Sequence, residues 1–265
     1  MNITIKSAEE QQVMREGGKI LAAILSELKK AAVPGVLKSD IDKMANRLCL
    51  KYAVRPSFKG YGGYPGTVCV SVNDEVVHGL PVEEPLREGD LVSLDMGVLH
   101  MGYHTDSAVS FVCRPSTVAQ DGSKLPVADK KASDLIKTCE QSLYSGIDLI
   151  KDGVHLGDIS ARIQEIAEAK GYGVIRMLVG HGIGTEVHED PHVPNYGSAG
   201  TGPTLKTGMT IAIEPMITED GSVDVVLDDD GWTYKSRTGT LCAHAEHTVL
   251  VTDDGYEILT VQRNN

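Results

Sequence analysis

The feature of this sequence that most limits its fold is a short segment that occurs twice. The pattern Gly-Val-x-x-x-Asp-Ile appears at Gly35–Ile41 and again at Gly153–Ile159. Each copy lies between two stretches with the hydrophobic spacing of helices, and strand-like sequence follows each pair. A chance match is the alternative to a duplication, and the agreement of the flanking patterns favours the duplication.

Helix boundaries follow from capping and terminating residues. Ser7 and Glu10 have the spacing of a capping box at the start of the first helix. Ser39 is predicted to cap the second helix, and Gly171 is a natural C-cap for the fourth. The four helices are predicted at 8–31, from 39 onward, at about 129–150 and at 158–170.

Apolar runs follow each helix pair and predict mainly antiparallel strands. These strands are predicted at 67–72, 91–99, 103–113, 175–179, 210–217 and 245–251. Two equivalent halves, at about 8–113 and 129–260, would then form an α+β fold in which paired helices pack on one curved, mainly antiparallel sheet. Residues 114–131 are predicted to be an exposed loop. We expect a single domain over 1–265, with a site on the sheet between the halves.

The formal net charge of −12 at pH 7 argues against two classes of partner. Nucleic acids and anionic membrane surfaces are bound largely through basic patches, so we expect neither as a partner. No apolar run approaches the ~20 residues that span a bilayer. The five cysteines are widely spaced and form no C-x-x-C pair, which predicts reduced thiols. We expect a cytoplasmic, monomeric protein.

Two neighbouring apolar strands each carry one acid. Asp95 and Asp106 flank a turn near His100–Gly102. If the hairpin folds at its midpoint, these acids lie directly opposite each other, with Cβ atoms about 4.5–5.5 Å apart. Like charges at that distance need neutralising, either by a divalent cation or by a shared proton. A register slip that turns one Asp to solvent is the third possibility.

Three further donors complete a candidate metal set. His181 is flanked by glycines, and Glu214 and Glu246 are single acids in apolar strands. Acids in such strands are almost never left unpaired. Carboxylates with one imidazole suit Mn, Fe, Co or Zn, and bridging carboxylates fit two ions about 3.5–4 Å apart, the arrangement of two-metal hydrolases. The predicted ligands are Asp95, Asp106, His181, Glu214 and Glu246.

In order and sequence context, these five residues resemble the ligand set of the methionine aminopeptidases, which have the pita-bread metallopeptidase fold. The resemblance covers nearly the whole chain. The chain is similar to the bacterial type 1 subgroup, because it lacks the N-terminal extension of eukaryotic type 1 relatives and the helical insertion of type 2. Further matching segments are Gly60–Pro65, Val70–Gly79, His181–Gly184, Ile213–Met216 and Asp230–Trp232.

The resemblance implies an aminopeptidase that removes the N-terminal methionine from newly made polypeptides with a small second residue. A metal-bridging hydroxide would attack the scissile carbonyl, with two divalent ions (Co, Mn, Fe or Zn) bound. Asp95 would bind one ion, while His181 and Glu214 would bind mainly the other. Asp106 and Glu246 would bridge both ions, and Glu214 would also move the proton.

The resemblance also implies roles for residues outside the metal set. His78 would contact the scissile amide nitrogen, and His188 would stabilise the oxyanion. From its position alone, His188 is equally a hydrogen-bonded loop histidine. Aromatic and sulfur-containing side chains would line the methionine pocket, and ordinary core packing is the alternative for each. These side chains are Tyr61, Tyr64, Cys69 and Trp232.

The chain departs from the family pattern in three places. Val187 stands where phenylalanine is usual, and His244 stands where glutamine or a similar polar residue is usual. The loop at 114–131 is longer than in common bacterial members. These differences bear on pocket shape rather than on the metal ligands, and Val187 is predicted to widen the methionine pocket.

Two other functions are compatible with these residues. A prolidase or Xaa-Pro aminopeptidase has the same fold and ligands, but it usually carries an additional N-terminal domain, for which 265 residues leave no room. A non-catalytic pita-bread module that binds peptides would generally lose ligands, whereas this chain keeps the whole set. Cleavage of Met-Ala peptides in preference to Ala-Pro peptides would separate the two enzymes.

Overall fold

Two pairs of helices flank the repeated segments. The structure is a computed structural model that describes residues 2–114 and 127–261. Ser7 caps the first helix as predicted: its hydroxyl accepts a hydrogen bond from the backbone N–H of Glu10, and its own backbone N–H donates to the Glu10 carboxylate. The helices are α1 Ala8–Ala31, α2 Lys38–Lys51, α3 Val127–Ile147 and α4 Leu156–Glu168, with a 3-10 turn at Tyr61–Gly63.

The second helix of each pair begins earlier than predicted. α2 begins directly after Leu37 rather than at Ser39, and α4 begins directly after His155. Leu37 pairs with Pro85 in an isolated β-bridge, and His155 pairs with Thr204 in another. These long-range bridges fix where the chain enters each helix, which is why local capping signals misplaced the starts.

The two copies of the repeat adopt the same backbone turn. Gly35 has φ of +88° and Gly153 has φ of +87°, values that favour glycine because they are strained for other residues. The Gly35 N–H donates to the carbonyl of Leu86, and the Gly153 N–H donates to the carbonyl of Leu205. This equivalence supports the duplication.

Within the described residues, antiparallel pairing joins the strands into one large sheet and two small ones. The strands are β1 Arg55–Pro56, β2 Cys69–Val72, β3 Glu75–Val77, β4 Leu91–His100, β5 Tyr103–Val112, β6 Gly173–Val174, β7 Gly180–Gly182, β8 Glu189–Val193, β9 Thr210–Ile213, β10 Met216–Thr218, β11 Val225–Leu227, β12 Tyr234–Ser236, β13 Cys242–His244, β14 Glu246–Val251 and β15 Tyr256–Ile258. The large sheet contains nine of these strands, in the order β1-β4-β5-β14-β9-β7-β8, with β15 added on β14 and β2 added on β4. β5 pairs with β14, so a single sheet crosses both halves.

Three predictions about the connections need correction. The predicted strand at 175–179 is not a strand, and β6 and β7 lie on either side of it. The predicted strand at 210–217 is divided into β9 and β10, because Pro215 has no N–H for the ladder. The predicted loop at 114–131 lies largely outside the described residues, although α3 already begins at Val127.

Each helix pair packs on its own part of the large sheet. Leu21 of α1 and Ile41 of α2 share one buried cluster with Leu94 of β4. A second cluster joins α3 and α4 to β9 and β14. Burying each large apolar side chain stabilises the folded state by about 1.5–3 kcal/mol. The α+β class is confirmed, and because side chains alternate along β4, Asp95 lies on the sheet face opposite Leu94.

Among the described residues, no helix combines the length and apolar character needed to cross a membrane.

Candidate metal centre and substrate pocket

A cavity of about 220 Å³ brings together every site residue predicted from the sequence. Its walls also include Phe58 and Gly62, which the sequence analysis did not identify. The predicted residues that line it are Tyr61, Tyr64, Cys69, His78, Asp95, Asp106, His181, His188, Glu214, Trp232 and Glu246.

The two aspartates lie on one hairpin but not directly opposite each other. Asp106 is opposite Gly97, and Asp95 is opposite Ala108. The predicted register is wrong because the turn is centred on Met101–Gly102, where both residues have positive φ, as in a two-residue type I′ turn. The aspartates remain on one face as diagonal neighbours, since the shift preserves strand alternation.

Small residues separate the candidate ligands along the neighbouring strands. Ala108 lies between Asp95 and Glu246 in a row across β4, β5 and β14. Ala212 separates His181 from β14 in the same way. The small side chains leave room between the donors, and this spacing depends on the register of several strands.

Three of the donors meet closely enough to hold one ion. The ligand atoms of Asp106, His181 and Glu246 all lie within 4.8 Å of one another, and all three side chains are buried. Asp95 is also buried, and its Oδ1 atom has no hydrogen-bond partner among the described residues. An unpartnered carboxylate oxygen beside other carboxylates needs a cation or a proton.

The tautomer of His181 is fixed by the backbone. Its Nδ1–H donates to the carbonyl of Gly182 at 2.8 Å, so Nε2 carries a lone pair. Burial lowers the pKa of His181 to about 3, which keeps the ring neutral. Nε2 lies 3.5 Å from Oε1 of Glu214, so two electron-rich atoms face each other. A cation between them would relieve this repulsion.

Burial also dominates the electrostatics of the four carboxyl groups. It raises the pKa of Asp106 to about 7. The pKa values of Asp95, Glu214 and Glu246 are raised well above their usual range, first by burial and then by the negative charges of their neighbours. Four acids cannot all be ionised here without cations, and this oxygen-rich set with one imidazole fits divalent metal.

The backbone of Glu214 is held although the strand breaks beside it. Asn195 donates from its side-chain Nδ2 to the Glu214 carbonyl at 3.0 Å. The next carbonyl, at Pro215, accepts from the backbone N–H of Ala245 at 3.2 Å. These bonds replace the strand hydrogen bonds that Pro215 interrupts. The backbone of Glu214 is therefore fixed, and its side chain extends from it into the cavity.

Two histidines face the cavity beyond the carboxylates. Nδ1 of His188 lies 2.8 Å from the hydroxyl of Tyr61, and its ring packs edge-on against His181 with centroids 4.4 Å apart. His78 follows β3 with φ of +59°, and burial lowers its pKa to about 4. Both rings are therefore placed as neutral groups at the cavity wall, because burial also lowers the pKa of His188.

A buried ion pair anchors the strand that begins after His188. Lys6 Nζ lies 2.7 Å from Oε2 of Glu189, and their side chains are 4% and 8% exposed. The Thr4 hydroxyl donates to the same carboxylate at 2.6 Å. The segment before α1 therefore fixes the chain on the C-terminal side of His188.

The remaining wall is aromatic and includes one thiol, that of Cys69. Tyr64 and Trp232 pack edge to face with centroids 5.3 Å apart, and the Tyr64 hydroxyl donates to the Gly79 carbonyl at 2.9 Å. Cys69 pairs directly with Asp95 across β2 and β4, and all five cysteines are free and buried. This wall forms an apolar compartment beside the charged one.

Phe58 is the lining aromatic that sequence reasoning missed. A Cβ added at Gly97 would lie 3.2 Å from the Phe58 ring and 2.8 Å from Cβ of Ser57, so glycine is needed for this close approach. Two features of the sequence could have identified Phe58. The chain has only two phenylalanines, and Phe58 lies in the glycine-rich loop that carries other predicted site residues.

The two residues that depart from the family pattern are both buried. Val187 does not line the cavity, which gives no support to the predicted widening of the pocket. His244 is 1% exposed, neither of its ring nitrogens has a hydrogen-bond partner among the described residues, and its Nε2 lies 3.8 Å from Oε2 of Glu214.

Comparison with known proteins agrees with this geometry. The family model of metallopeptidase family M24 matches residues 12–253. A methionine aminopeptidase of Clostridium acetobutylicum is 44% identical over 260 residues, covering 98% of this chain and 99% of the relative. Methionine aminopeptidase 1 of Bacillus subtilis is 43% identical over 258 residues, covering 97% of this chain and 99% of the relative.

Solved structures confirm the fold. The crystal structure of a methionine aminopeptidase from Thermotoga maritima is 43% identical, with a TM-score of 0.90, and the match covers 98% of this chain and 100% of that one. A prolidase from Pyrococcus furiosus shares the fold at 22% identity and a TM-score of 0.75, but the match covers only 66% of that chain. The resemblance drawn from the sequence and the pita-bread fold are both confirmed, and the chain belongs to metallopeptidase family M24.

Proposed function

We propose that the protein removes the N-terminal methionine from polypeptides with a small second residue, using two divalent ions. The observation that carries this proposal is a single cavity in which buried carboxylates and a neutral imidazole adjoin an aromatic, sulfur-lined compartment. A thioether packs favourably against such a wall. The relatives named methionine aminopeptidase match nearly the full length of the chain, which favours this function over the prolidase and peptide-binding alternatives.

In this proposal, four carboxylates and one histidine would hold two divalent ions. Asp95 would bind one ion, His181 and Glu214 would bind mainly the other, and Asp106 and Glu246 would serve both. Bound divalent ions supply charge that polarises the scissile carbonyl and lowers the pKa of water. Co, Mn, Fe and Zn all suit this set of donors, and metal supply and geometry decide among them.

Glu214 moves the proton in the reaction we propose. Its carboxylate lines the cavity, with Oε1 3.5 Å from Nε2 of His181, where it can exchange a proton with the reacting groups. Glu214 therefore takes a proton from the attacking water and delivers it to the departing amine. His78 contacts the nitrogen of the scissile amide, so the leaving group remains aligned with Glu214.

His188 stabilises the oxyanion, and Tyr61 sets its tautomer. The hydroxyl of Tyr61 lies 2.8 Å from Nδ1 of His188. When this hydroxyl donates to Nδ1, the ring proton resides on Nε2, where it can donate to the developing oxyanion. Tyr61, Tyr64, Cys69 and Trp232 would hold the methionine side chain, and we propose that Phe58, which lines the same cavity, joins them.

Metal restoration tests the proposal directly. The protein is stripped with a chelator, each of the four divalent ions is restored in turn, and kcat/KM is measured for Met-Ala-Ser, Leu-Ala-Ser and Ala-Pro. We expect no activity without metal and a clear preference for Met-Ala-Ser with metal. Faster cleavage of Ala-Pro would replace the proposal with the prolidase function, and metal binding without any cleavage would leave the peptide-binding module.

We also propose that the protein is cytoplasmic and monomeric and that it has no nucleic-acid partner. Light scattering on the purified protein checks the monomer. The single-domain organisation over 1–265 is proposed as well, and a single cooperative unfolding transition seen by two probes would support it.

A further inference from the structure

His244 is a buried polar side chain that the proposed reaction does not use. It is 1% exposed, and both ring nitrogens lack hydrogen-bond partners among the described residues. A neutral imidazole always carries one N–H, and a buried N–H without an acceptor is destabilising. An acceptor near this ring is therefore needed.

The backbone of His244 is fixed beside the break in the second-half strand. His244 pairs with Met216 between β13 and β10. Its backbone N–H donates to the Ser110 hydroxyl at 3.1 Å, and that hydroxyl donates to its carbonyl at 2.6 Å. Because Glu214 lies two residues before Met216, this pairing holds the His244 ring in a fixed position near Glu214.

The carboxylate of Glu214 lies between two imidazoles. Nε2 of His181 lies 3.5 Å from Oε1, and Nε2 of His244 lies 3.8 Å from Oε2. His181 presents a lone pair, because its proton is on Nδ1 and bonded to the Gly182 carbonyl. The Oε1 side therefore suits a cation, and the Oε2 side is free to accept a proton donor.

We propose that His244 is a positioning residue whose Nε2–H is directed at Oε2 of Glu214, 3.8 Å away, where it attracts Oε2 and leaves Oε1 facing the metal shared with His181. Partners that orient a metal-binding carboxylate typically change metal affinity by 10- to 100-fold when they are removed. This inference rests on the proposed function only in placing Glu214 at a metal.

Three substitutions separate the donor from simple packing. His244→Gln keeps an N–H donor close to the position of Nε2, and His244→Asn places its donor near Nδ1 instead. His244→Leu keeps much of the volume without a donor. Each metal-free protein is titrated with Mn²⁺ alone by calorimetry, after thermal melting has shown that it folds.

We expect His244→Gln to bind Mn²⁺ within about threefold of the wild type, and the Asn and Leu variants to bind 10- to 100-fold more weakly. With Mn²⁺ saturating, kcat for Met-Ala-Ser should follow the same order, while KM changes little. Equal affinity for the Gln and Asn variants would overturn the proposal, as would wild-type affinity in the Leu variant. If the Leu variant does not fold, the Gln and Asn pair decides.

The titration needs no peptide, so it is independent of the substrate. A wild type that binds Mn²⁺ but cleaves no Met-Ala-Ser would contradict the proposed function and leave the positioning role to be judged by the variants. Wild-type cleavage with no difference in metal affinity among the variants would contradict the positioning role alone.

Discussion

The two halves of the molecule supply the same kind of donor in different ways. In the first half, Asp95 and Asp106 lie within one uninterrupted hairpin. In the second half, Glu214 lies between the end of β9 at Ile213 and the strand-breaking Pro215, and Glu246 begins β14. The difference teaches that a donor can be placed either by regular strand alternation or by a broken strand whose backbone is tied down elsewhere.

Two lysine–glutamate pairs with buried lysines differ in their surroundings. Lys6, which precedes the first half, lies 2.7 Å from Glu189 of the second half, beside His188. Lys38 and Glu75, both in the first half, are 3.0 Å apart, and the Glu75 side chain is 16% exposed against 8% for Glu189. We therefore expect the Lys6–Glu189 pair to be the more tightly constrained.

The largest effect should come from removing, in either half, one of the acids that we propose to bridge the two metals. Asp106→Asn and Glu246→Gln should each lower kcat/KM for Met-Ala-Ser about a thousandfold or more, because metal ions contribute several kcal/mol of charge stabilisation. Metal content, measured by atomic emission, should fall in both variants. Full activity with a single bound ion in either variant would break the equivalence of the halves and the two-metal assignment.

Breaking each of the two ion pairs should lower the free energy of unfolding by a different amount. Lys6→Met should lower the free energy of unfolding by about 3–5 kcal/mol, because an uncompensated carboxylate remains buried. Lys38→Met is the matched control and should lower it less, since Glu75 reaches water more easily. Urea denaturation of both variants measures the difference, and an equal or larger loss for Lys38→Met would contradict this ranking.

The effect of Lys6→Met should also depend on pH. Burial raises the pKa of Glu189, but hydrogen bonds from Lys6 and Thr4 outweigh it and leave the pKa below its usual value of 4.5. A lowered folded-state pKa stabilises the protein above the unfolded pKa, and this contribution is lost as the pH falls through the folded-state value. The gap between wild type and variant should therefore narrow below about pH 4.5.

His188 and His78 test whether the halves contribute equally to the chemistry. His188→Ala should fold, keep its metal and lose about 2.7–4 kcal/mol of transition-state stabilisation, equivalent to about 10²–10³ in kcat. His78→Ala serves as the first-half counterpart. A raised KM with unchanged kcat for His188→Ala would show a substrate-binding role instead.

The smallest effect should come from Val187, which precedes His188 in the second-half loop. Its side chain is buried and does not line the cavity, so Val187→Phe should overpack and lower stability by about 1–3 kcal/mol. The ratio of kcat/KM for Leu-Ala-Ser and Met-Ala-Ser should stay nearly unchanged. A variant that discriminates better against leucine would restore the prediction that valine widens the pocket.

How far the sequence could go differs between the halves. The first-half hairpin was predicted almost to its ends, because unbroken alternation of apolar residues is a local signal. In the second half, two predictions are wrong. The strand predicted at 210–217 is interrupted at Pro215, and residues 175–179 do not form the predicted strand. Those connections depend on pairing with distant segments, for which a local window has no information.

The sequence by itself determined the types and the order of the donors and the α+β class, because lone acids in apolar strands and helical periodicity are written locally. Only the tertiary structure decided which donors meet. The turn at Met101–Gly102 sets a register in which Asp106 is diagonal to Asp95 rather than directly opposite it. Ala108 and Ala212 lie between the donors and leave space there for ligands. Such distances follow from strand register and long-range packing, in which a shift by a few residues rearranges every neighbour.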